Sequence, residues 1–181
     1  MSKLAMTVLV SALALAVSYP AAAAGSKEEY KAANDRADAT YKAAREKCNA
    51  MSGNAKDVCV AEAKGEQKKA KARAEADYKG DDKSRYNLRV AIADADYEVA
   101  KEKCDARAGN DKDLCLKQAK AAQTRAKADA KANRTSQEAH TDARQSARDA
   151  DYKVAVERCD AMSGSAKDQC IAQAKARFGR S

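Results

Sequence analysis

The chain has 181 residues and a net charge of +8, and 34% of its residues are charged while only 4% are aromatic. Its hydrophobic content of 45% is mostly alanine, which is the best helix former but buries little apolar area. This composition excludes a large apolar core. It favours long helices that need extra covalent restraint, and the six cysteines can supply that restraint.

The N-terminal residues predict export. Lys3 precedes a short apolar stretch over residues 4–17, and four alanines at residues 21–24 follow it. This pattern is typical of a cleavable secretory signal peptide, which we assign to residues 1–24. The stretch is shorter than the roughly 20 apolar residues that a spanning helix needs, and no later segment is apolar enough to cross a membrane. The mature chain is therefore expected to lack a transmembrane segment.

The six cysteines form three pairs with identical spacing, and each pair has a glycine near its middle. Ten residues separate the two members of each pair, and the first cysteines lie 56 and then 55 residues apart. The pairs are Cys48/Cys59, Cys104/Cys115 and Cys159/Cys170, and the central glycines are Gly53, Gly109 and Gly164. A period this long predicts tandem supersecondary units. We assign them to residues 25–80, 81–135 and 136–181.

Outside the glycines, the chain is predicted to be helical in six segments. These are residues 26–51, 55–79, 83–107, 110–133, 137–162 and 165–178. Gly80, Asp81 and Asp82 are expected to break the chain between the first two units, and Arg134 to Ser136 to break it between the second and third units. The fold class is all-α, built from three tandem αα-hairpins. The pattern leaves open whether the hairpins close into a bundle or extend as an array.

The spacing within each cysteine pair decides between a straight helix and a hairpin. On one continuous helix, residues eleven apart stand about 16 Å from each other. A disulfide requires Cα atoms within about 7 Å, so a bridge within a pair requires a reversal. Gly53 is a natural left-handed residue after a helix, and Asn54 with Asp57 resembles an N-terminal cap. Each pair is therefore predicted to form a disulfide that joins the two helices of one hairpin.

Small residues and tyrosines define the faces that the hairpin helices are expected to bury. Before the first cysteine of each unit, an alanine and a tyrosine recur four and seven residues earlier, and an alanine follows the second cysteine by four residues. These positions are Ala44 and Tyr41, Ala100 and Tyr97, Ala155 and Tyr152, and then Ala63, Ala119 and Ala174. One bulkier cluster, Tyr86, Leu88, Val90 and Ile92, is expected to anchor neighbouring hairpins to each other.

No motif for catalysis, metal binding or nucleic-acid binding emerges. Zinc sites have roughly two to four residues between neighbouring thiolates, whereas here ten intervene. His140 is the only histidine and has no nucleophile motif beside it. The basic runs near Lys68 and Lys127 are interleaved with acidic residues and lack stacking aromatics. We therefore predict a protein that is not an enzyme, with no cofactor, no metal and no nucleic-acid partner.

The mature region resembles a group of Ala/Lys-rich helical periplasmic proteins of Gram-negative bacteria that carry repeated cysteine hairpins. The resemblance is carried by segments such as Tyr97 to Asp105 and Gly109 to Cys115. Members of this group are often labelled TolA-like or cell-envelope biogenesis proteins. The resemblance implies a periplasmic location and a role in the cell envelope.

The leading interpretation is a periplasmic structural or interaction protein of the envelope, whose partner is another envelope protein or an anionic envelope surface. The first alternative is a stress-protective hydrophilic helical protein, which the high charge and poor core would suit. The second is a weak binder of anionic surfaces or metal ions. The sequence does not decide the oligomeric state.

Overall fold

The computed structural model describes residues 25–180, which fold entirely into helices and their connections. The predicted signal peptide at residues 1–24 lies outside the described residues. Five helices follow one another along the chain. They are α1 (Lys27–Cys48), α2 (Gly53–Lys79), α3 (Asp82–Cys104), α4 (Gly109–Cys159) and α5 (Gly164–Phe178). The all-α class and the three disulfide-linked hairpins are confirmed.

The turns between the paired helices depend on the central glycines. Gly53, Gly109 and Gly164 adopt φ angles of 56°, 55° and 58°, a left-handed region that costs other residues energy. The preceding helix ends at its cysteine. A tighter turn follows it, in which the Met51 N–H donates to the carbonyl of Cys48, three residues back. The reversal therefore occupies four residues between Cys48 and Gly53, and the first helix is shorter than predicted.

The predicted cap at Asn54 is wrong. The residue that precedes α2 is Ser52, and it makes no side-chain cap hydrogen bond. Helix α2 begins at Gly53 itself, so Asn54 already lies inside the first turn and its side chain is free to bond elsewhere. Its Nδ2 donates to the backbone carbonyl of Glu102 in α3 at 2.7 Å. A residue that looked like a local cap therefore joins two hairpins.

The predicted break at residues 134–136 is also wrong, because α4 is one helix of 51 residues. No glycine or proline interrupts it after Gly109. Within the expected break, Arg134 pairs with Glu138 one turn later at 2.7 Å, an arrangement that stabilises a helix. The break at Gly80 is confirmed: Gly80 has φ 64°, and the Asp81 side chain caps α3 through the Ser84 N–H.

The helices form an open array. Among the described residues, α1 packs on α2, α2 on α3, α3 on α4 and α4 on α5, and no other pair of helices is in contact. Because successive helices alternate in direction, the Cys48–Cys59 and Cys104–Cys115 bridges lie at one end of the array. Helix α4 continues past the Gly80 end, and the Cys159–Cys170 hairpin lies beyond it.

The buried residues are almost all small. The largest fully buried side chains are Cys48, Cys104 and Cys159, and the other buried apolar residues are alanines. Of the predicted stripe, Ala63 and Ala174 are buried, while Ala119 and the tyrosines are half-buried. The cluster Tyr86, Leu88, Val90 and Ile92 is also only half-buried. Close helix contact between small residues, and not a bulky core, therefore holds the array together.

Two glycines should respond to alanine in opposite directions. A Cβ at Gly53 would meet nothing within 4 Å, so Gly53→Ala carries only the cost of the left-handed φ, about 1–2 kcal/mol. Gly65 lies inside α2, and a Cβ there would sit 3.5 Å from the Ala95 Cβ, an ordinary contact. Gly65→Ala should therefore stabilise the protein by about 0.5–1 kcal/mol, since alanine is the better helix former. Urea unfolding of the two variants beside wild type measures the change in the free energy of unfolding for each. Equal changes in the two variants would contradict the opposite effects expected here.

Candidate functional site

The disulfides are the best-defined chemical feature of the molecule. The Cα atoms of Cys48 and Cys59 lie 5.7 Å apart, those of Cys104 and Cys115 5.6 Å, and those of Cys159 and Cys170 5.7 Å. Each bridge joins the end of one helix to the second turn of the next. The first cysteine of each pair is buried and the second is half-buried. All six predicted cysteines are thus brought together in the three local pairs.

A second link, which the sequence analysis missed, closes each hairpin further from its turn. Asp38 in α1 accepts hydrogen bonds from Gln67 Nε2 and Lys71 Nζ of α2. In the second hairpin, Asp94 accepts from Gln123 and pairs with Lys127 at 2.6 Å. The aspartate lies ten residues before the first cysteine, and the glutamine lies eight residues after the second. Aligning the repeats over a longer stretch would have revealed this pair.

The third hairpin replaces this link with an aromatic contact. Phe178 stands where the other hairpins have glutamine, and its ring packs edge-on against Tyr152 with centroids 6.0 Å apart. Asp149, the equivalent aspartate, pairs with Arg180. The first two hairpins have a further contact at the end away from the turn, at equivalent positions. In the first hairpin the rings of Tyr30 and Tyr78 stack, and in the second the Arg134 guanidinium lies over the ring of Tyr86.

The Asp38 link predicts a specific acid sensitivity. Hydrogen bonds from Lys71 and Gln67 lower the pKa of Asp38 below its ordinary value of 3.8. A carboxyl whose pKa is lowered by folding stabilises the protein above its unfolded pKa, and that contribution is lost as the pH falls through the folded value. The melting temperature of wild type should therefore exceed that of Asp38→Asn at neutral pH, and the difference should shrink below about pH 4.

Thermal melts at pH 7, 4 and 2.5 check this expectation. Asp35→Asn is the matched control, because Asp35 is exposed on the same helix. A gap between wild type and Asp38→Asn that stays constant with pH would contradict the role given to the carboxylate.

One face of the first hairpin carries a long groove. It lies along α1 and α2 and has a volume of about 1180 Å³. Its floor is made of alanines such as Ala37, Ala63 and Ala70, with the Cys48–Cys59 bridge and Met51 at one end. Met51 is 47% exposed there and adds a flexible apolar side chain to that end of the groove. The groove therefore offers apolar contact along two antiparallel helices.

Charges of both signs surround this groove. Its rim includes Arg36, Lys47 and Arg73 as well as Glu62 and Asp77. On the opposite face of α2, a smaller groove of about 540 Å³ between α2 and α3 is lined mainly by charged residues such as Lys64, Lys68 and Glu98. The mixed rim of the larger groove suits a partner with both charge signs better than a uniformly anionic surface.

The remaining residues considered from the sequence do not converge on a chemical site. His140 is exposed on α4, and its backbone carbonyl accepts a hydrogen bond from Arg144. Within residues 25–180, no three histidine, cysteine, aspartate or glutamate side chains are grouped closely enough to hold a metal ion. None of the helices in this range is long and apolar enough to cross a bilayer.

The comparisons with known proteins add no assignment. No protein-family model, no curated protein and no solved structure matches this chain. The interpretation of the molecule therefore depends on its own residues and geometry.

Proposed function

We propose that this chain is a non-enzymatic periplasmic scaffold of the cell envelope that binds a partner protein along the groove of its first hairpin. The observation that carries the proposal is the open array: within residues 25–180 each helix contacts only its neighbours in the chain, while three disulfides hold the hairpins closed. Such an arrangement holds extended surfaces in a fixed geometry.

The cysteines and the N-terminal segment support the proposed compartment. Disulfides persist in the periplasm and are rare in the cytosol. The predicted signal peptide at residues 1–24 would deliver the chain there. The resemblance to TolA-like envelope proteins agrees with this location, and it supports a structural role more than a catalytic one.

The groove favours a helical segment of a protein as the ligand. The antiparallel helices α1 and α2, with alanines lining the floor between them, leave a channel of the kind into which an amphipathic helix lays its apolar face. The rim residues of both signs, such as Arg73 and Glu62, would then contact charged residues beside that apolar face. A uniformly anionic lipid surface would meet repulsion from the acidic rim residues.

Site-specific photo-crosslinking in living cells tests the proposal. A photoreactive amino acid at Ala70, which is exposed in the groove, should capture a discrete envelope protein. The matched control carries the same amino acid at Lys68, on the opposite face of α2, and should not capture that protein. Ala70→Glu should abolish capture from a second groove position, Thr40.

Three results would overturn the proposal. The first is the absence of any discrete adduct at Ala70. The second is the same adducts at Ala70 and Lys68. The third is binding to anionic vesicles that falls with salt and is unchanged by Ala70→Glu, since this would identify the anionic-surface alternative.

A further inference from the structure

The interface between the first two hairpins uses a specific set of contacts between α2 and α3. Gly65 lies against Ala95 and Val99, with a Cβ position 3.5 Å from the Ala95 Cβ. Lys69 pairs with Asp96 at 2.7 Å. The hydrogen bond from Asn54 to the Glu102 carbonyl completes the set. Gly65 and Ala95 are buried at the centre of this interface, with Ala95 only 1% exposed, and the Lys69–Asp96 pair lies at its edge, where Asp96 is exposed.

The α2 side of this interface recurs on the first half of α4. One repeat later in the sequence, Asn54 corresponds to Asn110, Lys69 to Arg125 and Gly65 to Ala121. The extra methyl group of Ala121 fits, because a Cβ at Gly65 would make only ordinary contacts. Val58, which is half-buried in α2, corresponds to Leu114, which is 51% exposed. The second hairpin therefore carries an α2-type surface that no other part of residues 25–180 covers.

The α3 side of the interface recurs on the last part of α4. One repeat later, Ala95 corresponds to Ala150, Asp96 to Asp151 and Val99 to Val154, and Glu102 corresponds to Glu157. Ala150 is exposed where Ala95 is buried, and Val154 is 52% exposed where Val99 is half-buried. The third hairpin therefore carries an α3-type surface that is also uncovered.

Both uncovered surfaces lie on the same side of α4. With 3.6 residues per turn, the small residues that connect them stay within about 50° of one line along the helix. We name this line the outer stripe, defined by Ala121, Ala128, Ala132, Ala139, Ala143 and Ala150, all of which are exposed. The contacts with α3 and α5 are made on the opposite side, for example by Gln123 with Asp94 and by Tyr152 with Phe178.

The two surfaces cannot meet within one chain, because they are parts of the same straight helix. Arg125 and Asp151 are 26 residues apart, about 39 Å along α4. They can meet between two copies. We propose that the protein forms a two-fold symmetric dimer in which the α4 helices of two copies pack antiparallel along their outer stripes.

The register of this dimer follows from the α2–α3 interface. Each α2 residue is replaced by the residue 56 positions later, and each α3 residue by the residue 55 positions later, which are the distances between successive repeats. This places Arg125 against Asp151 of the partner subunit, and Ala121 against Val154 of the partner subunit. Two identical antiparallel helices repeat every contact at the other end, so one register satisfies both surfaces at once. The two-fold axis passes near Gln137, and Ala132 then faces Ala143 of the partner subunit.

The interface has the size and chemistry of a specific contact. It would run about 70 Å along α4 and be about 10 Å wide, or about 700 Å² from each copy, against about 800 Å² in a standard complex. Small residues at the centre allow the helices to approach as closely as α2 and α3 do. One ion pair of the α2–α3 interface has a weaker counterpart in the dimer. Glu62 pairs with Lys103 within the chain, whereas the equivalent residues in the dimer are the uncharged Gln118 and Arg158.

Sedimentation equilibrium of the oxidised, exported protein tests the dimer. Wild type should associate to a dimer as its concentration rises. Ala132→Glu/Ala143→Glu should raise the dissociation constant at least about a hundredfold, because each glutamate would be buried opposite another. Both alanines are exposed in the single chain, so the helix content should not change. The control Ala126→Glu/Thr141→Glu adds the same charge to exposed positions away from the outer stripe and should dimerise like wild type.

A charge exchange tests the register. Arg125→Asp or Asp151→Arg alone should weaken the dimer about tenfold, and the double variant should recover most of that loss. A photoreactive amino acid at Ala132 should crosslink to the partner subunit near Ala143. A sedimentation profile that stays monomeric to about 1 mM, where even weak association is visible, overturns the proposal. A crosslink between position 132 of one copy and position 132 of the other would equally overturn it. So would a double charge variant whose loss of affinity equals the sum of the losses in the two single variants.

Discussion

The double substitution Cys159→Ala/Cys170→Ala should unfold α5 while leaving α1 to α4 helical. Closing a loop of this length stabilises the folded state by about 2.5–3 kcal/mol in the chain-entropy model. Helix α5 has only 15 residues and packs only on α4. An isolated helix of that length is marginal in water, so the Tyr152–Phe178 ring contact and the solvent-exposed Asp149–Arg180 pair should not hold it.

Hydrogen exchange measured by mass spectrometry checks this result. Protection of residues 164–178 should fall to that of an unfolded peptide, with helix content by circular dichroism falling by only about a tenth, because α5 is the shortest of the five helices. The control is Cys48→Ala/Cys59→Ala. There, the Asp38 link and the stacked Tyr30 and Tyr78 rings also hold α1 to α2, so α1 should lose stability but stay folded. Unchanged protection of α5 would show that its packing on α4 suffices.

His140→Pro should bend α4 without unfolding the hairpins at its two ends. A proline inside a helix removes a hydrogen bond and clashes with the preceding turn, at a cost of about 3 kcal/mol. Residues 135–147 are all exposed, so neither α3 nor α5 holds this stretch of α4 in place. The cost should therefore appear as a local kink and not as loss of the whole fold.

Small-angle scattering and limited proteolysis, at a concentration where the chain is monomeric, measure the effect. The variant should show a shorter maximum dimension and a new cleavage site near residue 140, while all three disulfides remain intact. His140→Ala is the matched control and should behave as wild type, because alanine favours the helix. Cooperative unfolding of the first two hairpins in the proline variant would contradict the independence of the two ends of α4.

The disulfide-linked hairpins could be predicted from the sequence because the information is local. The ten-residue spacing of Cys48 and Cys59 excludes a bridge on a straight helix, and Gly53 marks the only point where the chain reverses cheaply. The same reasoning failed at residues 134–136. Arg134, Thr135 and Ser136 are compatible with both helix and turn, and the bond between Arg134 and Glu138 and the contact with Tyr86 favoured the helix.

The candidate surfaces were less predictable than the fold. The Asp38 and Gln67 contact joins residues 29 positions apart, and its only signal in the sequence is that the two residues recur as Asp94 and Gln123 in the second repeat. Asn54 looked like a cap because its neighbours Gly53 and Asp57 fit that motif. Its actual partner, Glu102, belongs to another hairpin, and no local pattern points to it.

The sequence alone determined that the chain is helical, that it reverses at Gly53, Gly109 and Gly164, and that each reversal is held by a disulfide. These properties depend on residues within about a dozen positions of one another, where spacing and backbone preference decide. Only the tertiary structure decided that the hairpins line up as an open array and that α4 joins the second and third without a break. Those outcomes depend on which alanine-rich helix faces pack against each other. The faces have nearly the same composition, so only their contacts in the folded chain show which ones pair.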